Sequence, residues 1–279
     1  MTPGAVHLID GTYELFRHFY GLRRAKSDKM PRFGAVAGVL NTVLQMIADG
    51  ATHIGVATDH VIESFRNQLW HGYKTGAGIE PALLAQFWPL EDALRAMGVA
   101  VWAMVDLEAD DALASAAEIA SRDSRVQKVC IWTPDKDLAQ CVRGDRVVQV
   151  DRRSNAVRDA AAVRTKFGVV PELIPDYLAL VGDAADGYPG VKGIGAKGAA
   201  ALLTRYGKIE DFPPEVLGEH RANALLFKQL ATLRTDAPLF ASVDELRWAG
   251  AAAEFESFCE DHGMSDVSAR AARTAARAG

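Results

Sequence analysis

The chain has few cysteines and no long apolar run, and each absence excludes a class of protein. Its 279 residues include only Cys130, Cys141 and Cys259. Their odd number and their spacing suit neither a disulfide scaffold nor a zinc finger, so we expect core thiols. Charge interrupts every apolar run before the roughly 20 residues that a bilayer span needs, and residues 1–9 lack the features of a signal peptide. We therefore expect a cytoplasmic globular protein without membrane contact.

Basic residues are not in excess, since the formal net charge is -5. That total argues only superficially against a nucleic-acid partner, because it averages acidic clusters with basic stretches. Nine carboxylates, with a charge of -9, fall in the motifs described below. Since the net charge is -5, all other residues together carry +4. One basic stretch, residues 14–32, has a local surplus of +4. A nucleic-acid partner is therefore compatible with the composition.

Short apolar runs alternate with helical patterns along the first two thirds of the chain. This alternation predicts an α/β fold with a mostly parallel sheet flanked by helices. The expected strands are residues 6–9, 54–57, 99–104, 128–132 and an edge strand at 147–150. Acidic residues follow the first four, and ligands of such sheets bind beyond the carboxyl ends of the strands. The pattern thus predicts one acidic site built from several strand ends.

Carboxylates gathered at one edge require a positive counterion. Two unit charges about 6 Å apart repel by roughly 3 kcal/mol at an effective dielectric constant of about 20. Because the motifs offer oxygen ligands without Cys or His, they favour two Mg²⁺ or Mn²⁺ ions over Zn²⁺. Paired ions of this kind support phosphodiester cleavage. The predicted metal ligands are Asp10, Asp59, Glu108, Asp110, Asp111, Asp135, Asp137, Asp183 and Asp186.

A glycine-rich hairpin follows the last two of these acids. Gly190, Gly193 and Gly195 allow backbone conformations closed to other residues and a close approach to a ligand. A helix predicted at Ala196–Tyr206 would direct its first amides at an anion. A metal site joined to a phosphate-binding hairpin suggests a nuclease.

In order along the chain, these motifs resemble those of the 5′ nuclease family. That family includes flap endonucleases, bacteriophage 5′ exonucleases and the N-terminal nuclease domain of bacterial DNA polymerase I. The resemblance covers residues 6–238 and is carried by Ile9-Asp10-Gly11, Phe16-Arg17, Ser64-Phe65-Arg66, Gly72-Tyr73-Lys74, Glu108-Ala109-Asp110-Asp111, Asp135-Lys136-Asp137 and residues 182–195.

The resemblance implies a PIN-like nuclease domain at residues 1–178, with a clamp at about 62–90. It also implies a helix-three-turn-helix DNA-binding module at residues 179–262, with K⁺ at its glycine hairpin. Residues 263–279 are expected to form a disordered tail, because residues 268–279 are rich in Ala and Arg and lack large apolar side chains.

The resemblance also assigns roles to individual side chains. Asp10, Asp59, Glu108, Asp110 and Asp111 would surround one metal ion, and Asp135, Asp137, Asp183 and Asp186 the other. The expected catalytic cations are Lys74, at the scissile phosphate, with Arg17 and Arg66 steering the DNA backbone. Phe16 or Phe19 would stack on an end base, a contact worth about 1 to 3 kcal/mol. The other expected DNA contacts are Tyr73, Gly190, Lys192, Gly193, Gly195 and Lys197.

Three positions depart from the family pattern. Ala77 stands where a basic residue is common after the clamp lysine, and Gly187 follows Asp186 where the family commonly has asparagine. Asp59 lies in Ala57-Thr58-Asp59-His60 instead of the usual apolar-Phe-Asp-Ala setting.

The predicted function is that of a free-standing, monomeric, structure-specific 5′ nuclease. Its expected substrates are DNA 5′ flaps, 5′ ends and branched duplexes, with RNA primers in RNA-DNA hybrids as a further class. Two alternatives stay open. One is a DNA-junction-binding protein with weak or no catalysis, which the complete acid set disfavours. The other is a haloacid-dehalogenase-type phosphatase, suggested by Ile9-Asp10-Gly11-Thr12, although its nucleophilic aspartate would fall at Leu8.

Overall fold

A six-stranded sheet forms the centre of the computed structural model, which describes residues 4–24 and 31–278. Lys26, Asp28 and Lys29 of the predicted basic stretch lie outside the described residues. The strand order is β3-β2-β1-β4-β5-β6. The strands are β1 (Ala5–Asp10), β2 (His53–Asp59), β3 (Ala100–Met104), β4 (Lys128–Trp132), β5 (Val147–Asp151) and β6 (Ala156–Arg158).

Helices separate most of the strands, and among the described residues no strand of the sheet follows β6. The α-helices are α1 (Gly11–Arg24), α2 (Gly34–Ala48), α3 (Arg66–Leu69), α4 (Pro81–Leu84), α5 (Phe87–Ala96), α6 (Ala109–Arg122), α7 (Ala160–Phe167), α8 (Ile174–Val181), α9 (Ala196–Tyr206), α10 (Pro214–Leu217), α11 (Arg221–Ala231), α12 (Phe255–Asp261) and α13 (Ser265–Ala278). Short 3-10 helices lie at Asp137–Cys141, Pro171–Leu173, Ile209–Asp211, Gly218–His220 and Val243–Leu246.

The four central pairings of the sheet are parallel, and only β6 runs antiparallel to its neighbour β5. This arrangement confirms the predicted α/β fold. The prediction that residues 147–150 form an edge strand is wrong, because β5 lies between β4 and β6. The true edge strand has three residues and no apolar run, which is why the sequence pattern does not reveal it.

Side chains of β1 alternate between two cores, as the pleat of a strand requires. Leu8 packs into a cluster with the alanine-rich helix α6, whereas Ile9 packs into a cluster with α1, α2, α5, α12 and α13. A third cluster, which includes Leu178 and Phe227, joins α7, α8, α9 and α11. The sheet therefore has helices on both faces, and helices α7 to α11 share a core of their own.

The C-terminal segment is a helix, so the prediction of a disordered tail is wrong. Helix α13 places Val267 and Ala271 in the core cluster shared with α2, and Arg270 donates a hydrogen bond to Asn41 on α2 (3.0 Å). Alanine is the best helix former, and its small side chain allows close packing without large apolar residues. Within residues 4–24 and 31–278, no helix has the length and apolar character needed to cross a bilayer.

Candidate metal centre and nucleic-acid interface

The carboxyl ends of the parallel strands bring most of the predicted acids to one edge of the sheet. Asp10 ends β1, Asp59 ends β2, and Asp137 opens a 3-10 helix just after β4. Glu108 precedes α6, and Asp110 lies in its first turn. The predicted construction of the site from several strand ends matches this placement.

Hydrogen bonds hold the first carboxylates in position. Asp10 accepts from the backbone N–H of Tyr13 (2.8 Å) and from the Thr133 hydroxyl (3.0 Å). Asp59 accepts from the backbone N–H of Ala109 at the start of α6 (2.8 Å). The ends of β1, β2 and β4 and the beginning of α6 are thereby tied together around the acidic edge.

A compact triad lies beside this group. Asp137, Asp183 and Asp186 are buried, and one carboxylate oxygen of each lies within 4.8 Å of the others. Asp183 and Asp186 follow α8 in a turn that is closed by the backbone bond from Asp183 N–H to Tyr188 C=O (2.8 Å). The Asp137 Oδ1 atom is buried and has no hydrogen-bond partner in the part of the chain that the structure describes.

The carboxyl groups perturb one another strongly. Burial, followed by the charges of Asp59 and Asp135, raises the pKa of Asp10 to about 7. Burial and the nearby carboxylates also raise the pKa of Asp110 and of Asp137 well above the usual range. Such shifts mean that the cluster favours protons over full ionisation unless another cation is present.

The donor set fits a divalent metal ion. All candidate ligand atoms are carboxylate oxygens, which hard cations such as Mg²⁺ and Mn²⁺ prefer. The buried, unpartnered Oδ1 of Asp137 is the kind of group that a cation would satisfy. Asp135 is exposed and lies two residues before Asp137.

Two lysines place their ammonium groups among these acids. Lys74 Nζ lies 2.8 Å from Glu108 Oε2 and 3.1 Å from Asp186 Oδ1, and Lys136 Nζ lies 2.7 Å from Asp183 Oδ2. Burial opposes the charge of Lys74, but Glu108 and Asp186 raise its pKa well above the ordinary value. Lys74 thus joins the two groups of carboxylates. Lys136 is absent from the sequence prediction, although its place between Asp135 and Asp137 could have revealed it.

Arg66 and Asp111 form a buried ion pair, and this contradicts both predicted roles. Arg66 is 1% exposed and Asp111 is 0% exposed. The guanidinium donates to both Asp111 oxygens (2.7 and 2.8 Å), to Glu108 (3.1 Å) and to the carbonyl of Leu230 (2.8 Å). Arg66 therefore cannot steer a DNA backbone, and Asp111 is engaged as a structural carboxylate instead of a metal ligand.

Two further predicted contacts are buried, and a third, the partly exposed Arg17, is engaged in an ion pair. Phe19 is 1% exposed within the core, so it cannot stack on a base. Tyr73 is buried and donates to Glu108 (3.3 Å), which makes it a support for that carboxylate. Arg17 pairs with the buried Glu14 on its own helix. Phe16 remains partly exposed and packs edge-on against Phe87 (6.0 Å).

The glycine hairpin lies between α8 and α9. Gly190 has a φ of 71°, and a Cβ there would come within 2.4 Å of the Gly182 nitrogen. The structure thus explains Gly190 by packing against the end of α8 and not by DNA contact. Gly193 and Gly195 are exposed, as are Lys192 and Lys197. No side chain caps the N-terminus of α9, so its first amides suit an anion.

The glycine that follows Asp186 also has a structural reason. Gly187 has a φ of 83°, and a Cβ there would lie 1.9 Å from the Gly72 carbonyl oxygen. The Gly187 carbonyl accepts a hydrogen bond from the indole N–H of Trp70 (3.0 Å), and Lys74 N–H donates to the Asp186 carbonyl (3.0 Å). The segment around Lys74 is thereby fastened to the Asp183–Asp186 turn.

Comparison with protein families identifies two matching models. Residues 5–168 match the 5′-3′ exonuclease N-terminal resolvase-like domain. Residues 169–254 match the 5′-3′ exonuclease C-terminal SAM fold.

Individual relatives agree with these models. DNA polymerase I of Pseudomonas aeruginosa is 35% identical over 266 residues, which are 88% of this chain and 29% of the polymerase. The chain thus spans less than a third of that relative. A 5′-3′ exonuclease of Buchnera aphidicola is 32% identical over 248 residues, which are 82% of this chain and 81% of the relative.

A solved structure shares the fold over nearly the whole length. The flap endonuclease of bacteriophage T5, solved in a complex with DNA and metal ions, superposes with a TM-score of 0.66. The sequence identity is 17%, and the match covers 98% of this chain and 97% of that chain. Taken with the family models, these likenesses confirm the predicted resemblance: the chain belongs to the 5′-3′ exonuclease family.

Proposed function

We propose that this chain is a structure-specific 5′ nuclease that hydrolyses DNA phosphodiester bonds at 5′ flaps, 5′ ends and branched duplexes. The observation that carries the proposal is the buried triad of Asp137, Asp183 and Asp186, which Lys74 connects to Glu108. A phosphatase is disfavoured because Leu8, at the position of its nucleophile, is an apolar core residue.

Two Mg²⁺ or Mn²⁺ ions would be held by the acidic edge. Asp10, Asp59, Glu108 and Asp110 are the proposed ligands of one ion, and Asp135, Asp137, Asp183 and Asp186 those of the other. When bound, such ions supply Lewis acidity for phosphodiester hydrolysis. Asp111 is left out of the set because Arg66 occupies its oxygens.

Lys74 is the residue of this chain best placed to act on the scissile phosphate. Its side chain is 30% exposed, and its ammonium group lies between the two proposed ligand groups. A phosphate bound there would accept from the Lys74 ammonium group in place of Glu108 and Asp186, which are among the proposed metal ligands. Tyr73 and Ser64 both donate to Glu108 and hold it toward the lysine.

The glycine hairpin would bind the duplex through its backbone. Lys192, Lys197 and the uncapped amides of α9 offer contacts to phosphates, which position a duplex but carry no sequence information. Specificity would therefore follow junction shape and the free 5′ end. The proposal extends to K⁺ at this hairpin and to RNA primers in RNA-DNA hybrids as substrates. The protein would act as a monomer in the cytoplasm, in the same compartment as its DNA substrate.

Cleavage of a 5′-flap duplex tests this function directly. We expect a labelled 5′ flap to be cut with Mg²⁺ or Mn²⁺ and to stay intact with EDTA. A 3′-flap duplex and a chromogenic phosphate monoester serve as controls and should not react. Binding of the 5′ flap without cutting would favour the junction-binding alternative, and release of phosphate from the monoester alone would favour the phosphatase.

Lys192→Ala should weaken binding of duplex DNA and make it less dependent on salt. Loss of one phosphate contact lowers the slope of log K against log salt by about 0.9. Binding isotherms between low and moderate salt would measure this slope. Lys208→Ala is the matched control, since Lys208 is exposed beyond the other end of α9, roughly 16 Å along the helix axis. Equal slopes for the parent and Lys192→Ala would contradict the hairpin assignment.

A further inference from the structure

An apolar groove lies mostly within the segment predicted as the clamp, and its lining residues have no individual role so far. It has a volume of about 660 Å³. Six large hydrophobic side chains are exposed in the described residues, and three of them, Val61, Leu84 and Trp88, line this groove. A concentration of exposed apolar groups in one concave surface indicates a binding site.

The groove contains a built aromatic platform. The Trp88 residue is 61% exposed, and its indole ring stacks on the His60 imidazole with ring centroids 5.3 Å apart and planes inclined by 10°. The indole N–H also donates to the His60 carbonyl (3.4 Å). Most of the tryptophan is thus open to solvent while its plane is fixed.

A buried carboxylate sets the orientation of the imidazole. Glu91 is 2% exposed and accepts from His60 Nδ1 (2.8 Å) and from the Thr58 hydroxyl (2.9 Å). Arg95 Nη1 lies 3.9 Å from Glu91 Oε2. Because Glu91 and Thr58 are packed inside the domain, the platform is anchored from below and not merely a surface contact of two rings.

Two parts of the groove lining are close in sequence to proposed catalytic residues. His60 directly follows Asp59, and consecutive Cα atoms lie about 3.8 Å apart. The lining also includes Gly76, two residues after Lys74. A strand that places a phosphate between Asp59 and Lys74 would therefore carry a neighbouring nucleotide toward the platform.

We propose that the Trp88–His60 pair stacks against one unpaired base of the 5′ single strand of a flap. This inference rests on the proposed function. The aromatic faces and apolar walls suit a flat base, and the volume lies within the range of small-ligand pockets. The groove lining includes one carboxylate, Glu63, so the phosphates would remain outside.

Replacing single flap nucleotides by abasic residues tests the platform, because this removes the base and keeps the phosphate. Binding of the full chain would be measured in EDTA for a series of 5′ flaps with the abasic residue at successive positions. We expect one or two adjacent positions to weaken binding by about 5- to 150-fold, as loss of a base–aromatic stack does. In Trp88→Ala this dependence on position should disappear, whereas Trp88→Phe should retain part of it.

Val157→Ala is the matched control, since it trims a side chain of similar exposure on β6 and should keep the parent profile. An abasic profile that is the same in the parent and Trp88→Ala would overturn the inference, and so would a parent profile without a sensitive position. If no abasic position weakens binding by the parent, the groove does not bind a flap base, and an apolar peptide would be a better candidate ligand. If the parent neither binds nor cuts an unmodified 5′ flap, the proposed function itself fails, which is a separate result.

Discussion

Asp137→Asn should abolish cleavage of a 5′-flap duplex while leaving DNA binding close to that of the parent. We expect the rate to fall by at least about a thousandfold, which corresponds to roughly 4 kcal/mol of lost transition-state stabilisation. The reason is geometric, because Asp137 is buried within the triad and its Oδ1 atom has no other partner among the described residues. Single-turnover cleavage with Mg²⁺ would measure the rate, and fluorescence anisotropy in EDTA would measure binding.

Although Asp137→Asn should lower activity, it should raise the thermal stability of the protein when no metal is present. Burial and the carboxylates of Asp135, Asp186 and Asp183 raise the pKa of Asp137, so its charge opposes folding when no cation is present. Asp137→Asn should therefore unfold at a higher temperature than the parent in EDTA and gain less from added Mg²⁺. Asp145→Asn, which removes an exposed carboxylate at the start of β5, is the control and should do neither. Cleavage by Asp137→Asn at the parent rate would contradict the metal assignment.

The location of the acidic edge could be predicted because it depends on chain topology. Parallel strands buried on both faces appear as short apolar runs, and their carboxyl ends must share one edge. Asp10, Asp59 and Asp137 therefore come together whatever the details of packing. The hairpin could be predicted as well. Glycine is favoured where φ is positive, and Gly190 and Gly193 have positive φ angles in the structure.

The direction of individual side chains could not be predicted in the same way. Phe16 and Phe19 are three residues apart on α1 and both are apolar, yet only Phe19 is fully buried. Asp110 and Asp111 are neighbours in one acidic run, but the helix turns Asp111 inward, toward Arg66. Such differences depend on long-range contacts, which a local pattern does not contain.

The same limit explains the features that the sequence prediction missed. The platform of Trp88 and His60 joins positions 28 residues apart through Glu91. The C-terminal helix depends on packing against α2, which lies more than 200 residues earlier. Alanine and arginine in this helix suit both a solvated segment and a packed one, so composition could not decide between them.

Substitution of Arg66 should have the second large effect, a loss of folding stability. The sequence predicted that Arg66 steers the DNA backbone, whereas the structure shows it in a buried ion pair with Asp111. Its guanidinium binds Asp111, Glu108 and the Leu230 carbonyl, and Asp111 also accepts from the Arg234 N–H (2.8 Å). The pair thereby links α3 and α6 to the end of α11. Arg66→Ala should lower the free energy of unfolding by about 3 to 5 kcal/mol, since it leaves a buried carboxylate without its partner. Urea denaturation monitored by circular dichroism would measure the loss.

A double substitution separates the ion pair from other effects of truncation. Arg66→Met with Asp111→Leu removes both charges, so it should be more stable than Arg66→Ala, because no unpaired charge remains buried. Arg66→Lys should recover only part of the stability, because an ammonium group cannot reproduce the two parallel bonds to Asp111. If Arg66 instead steered DNA, Arg66→Ala would keep the parent stability and reduce the salt dependence of DNA binding. Loss of folding stability without that change in salt dependence would establish the structural role. Arg66 would then act on the proposed metal ligands through the hydrogen bond that it donates to Glu108 (3.1 Å).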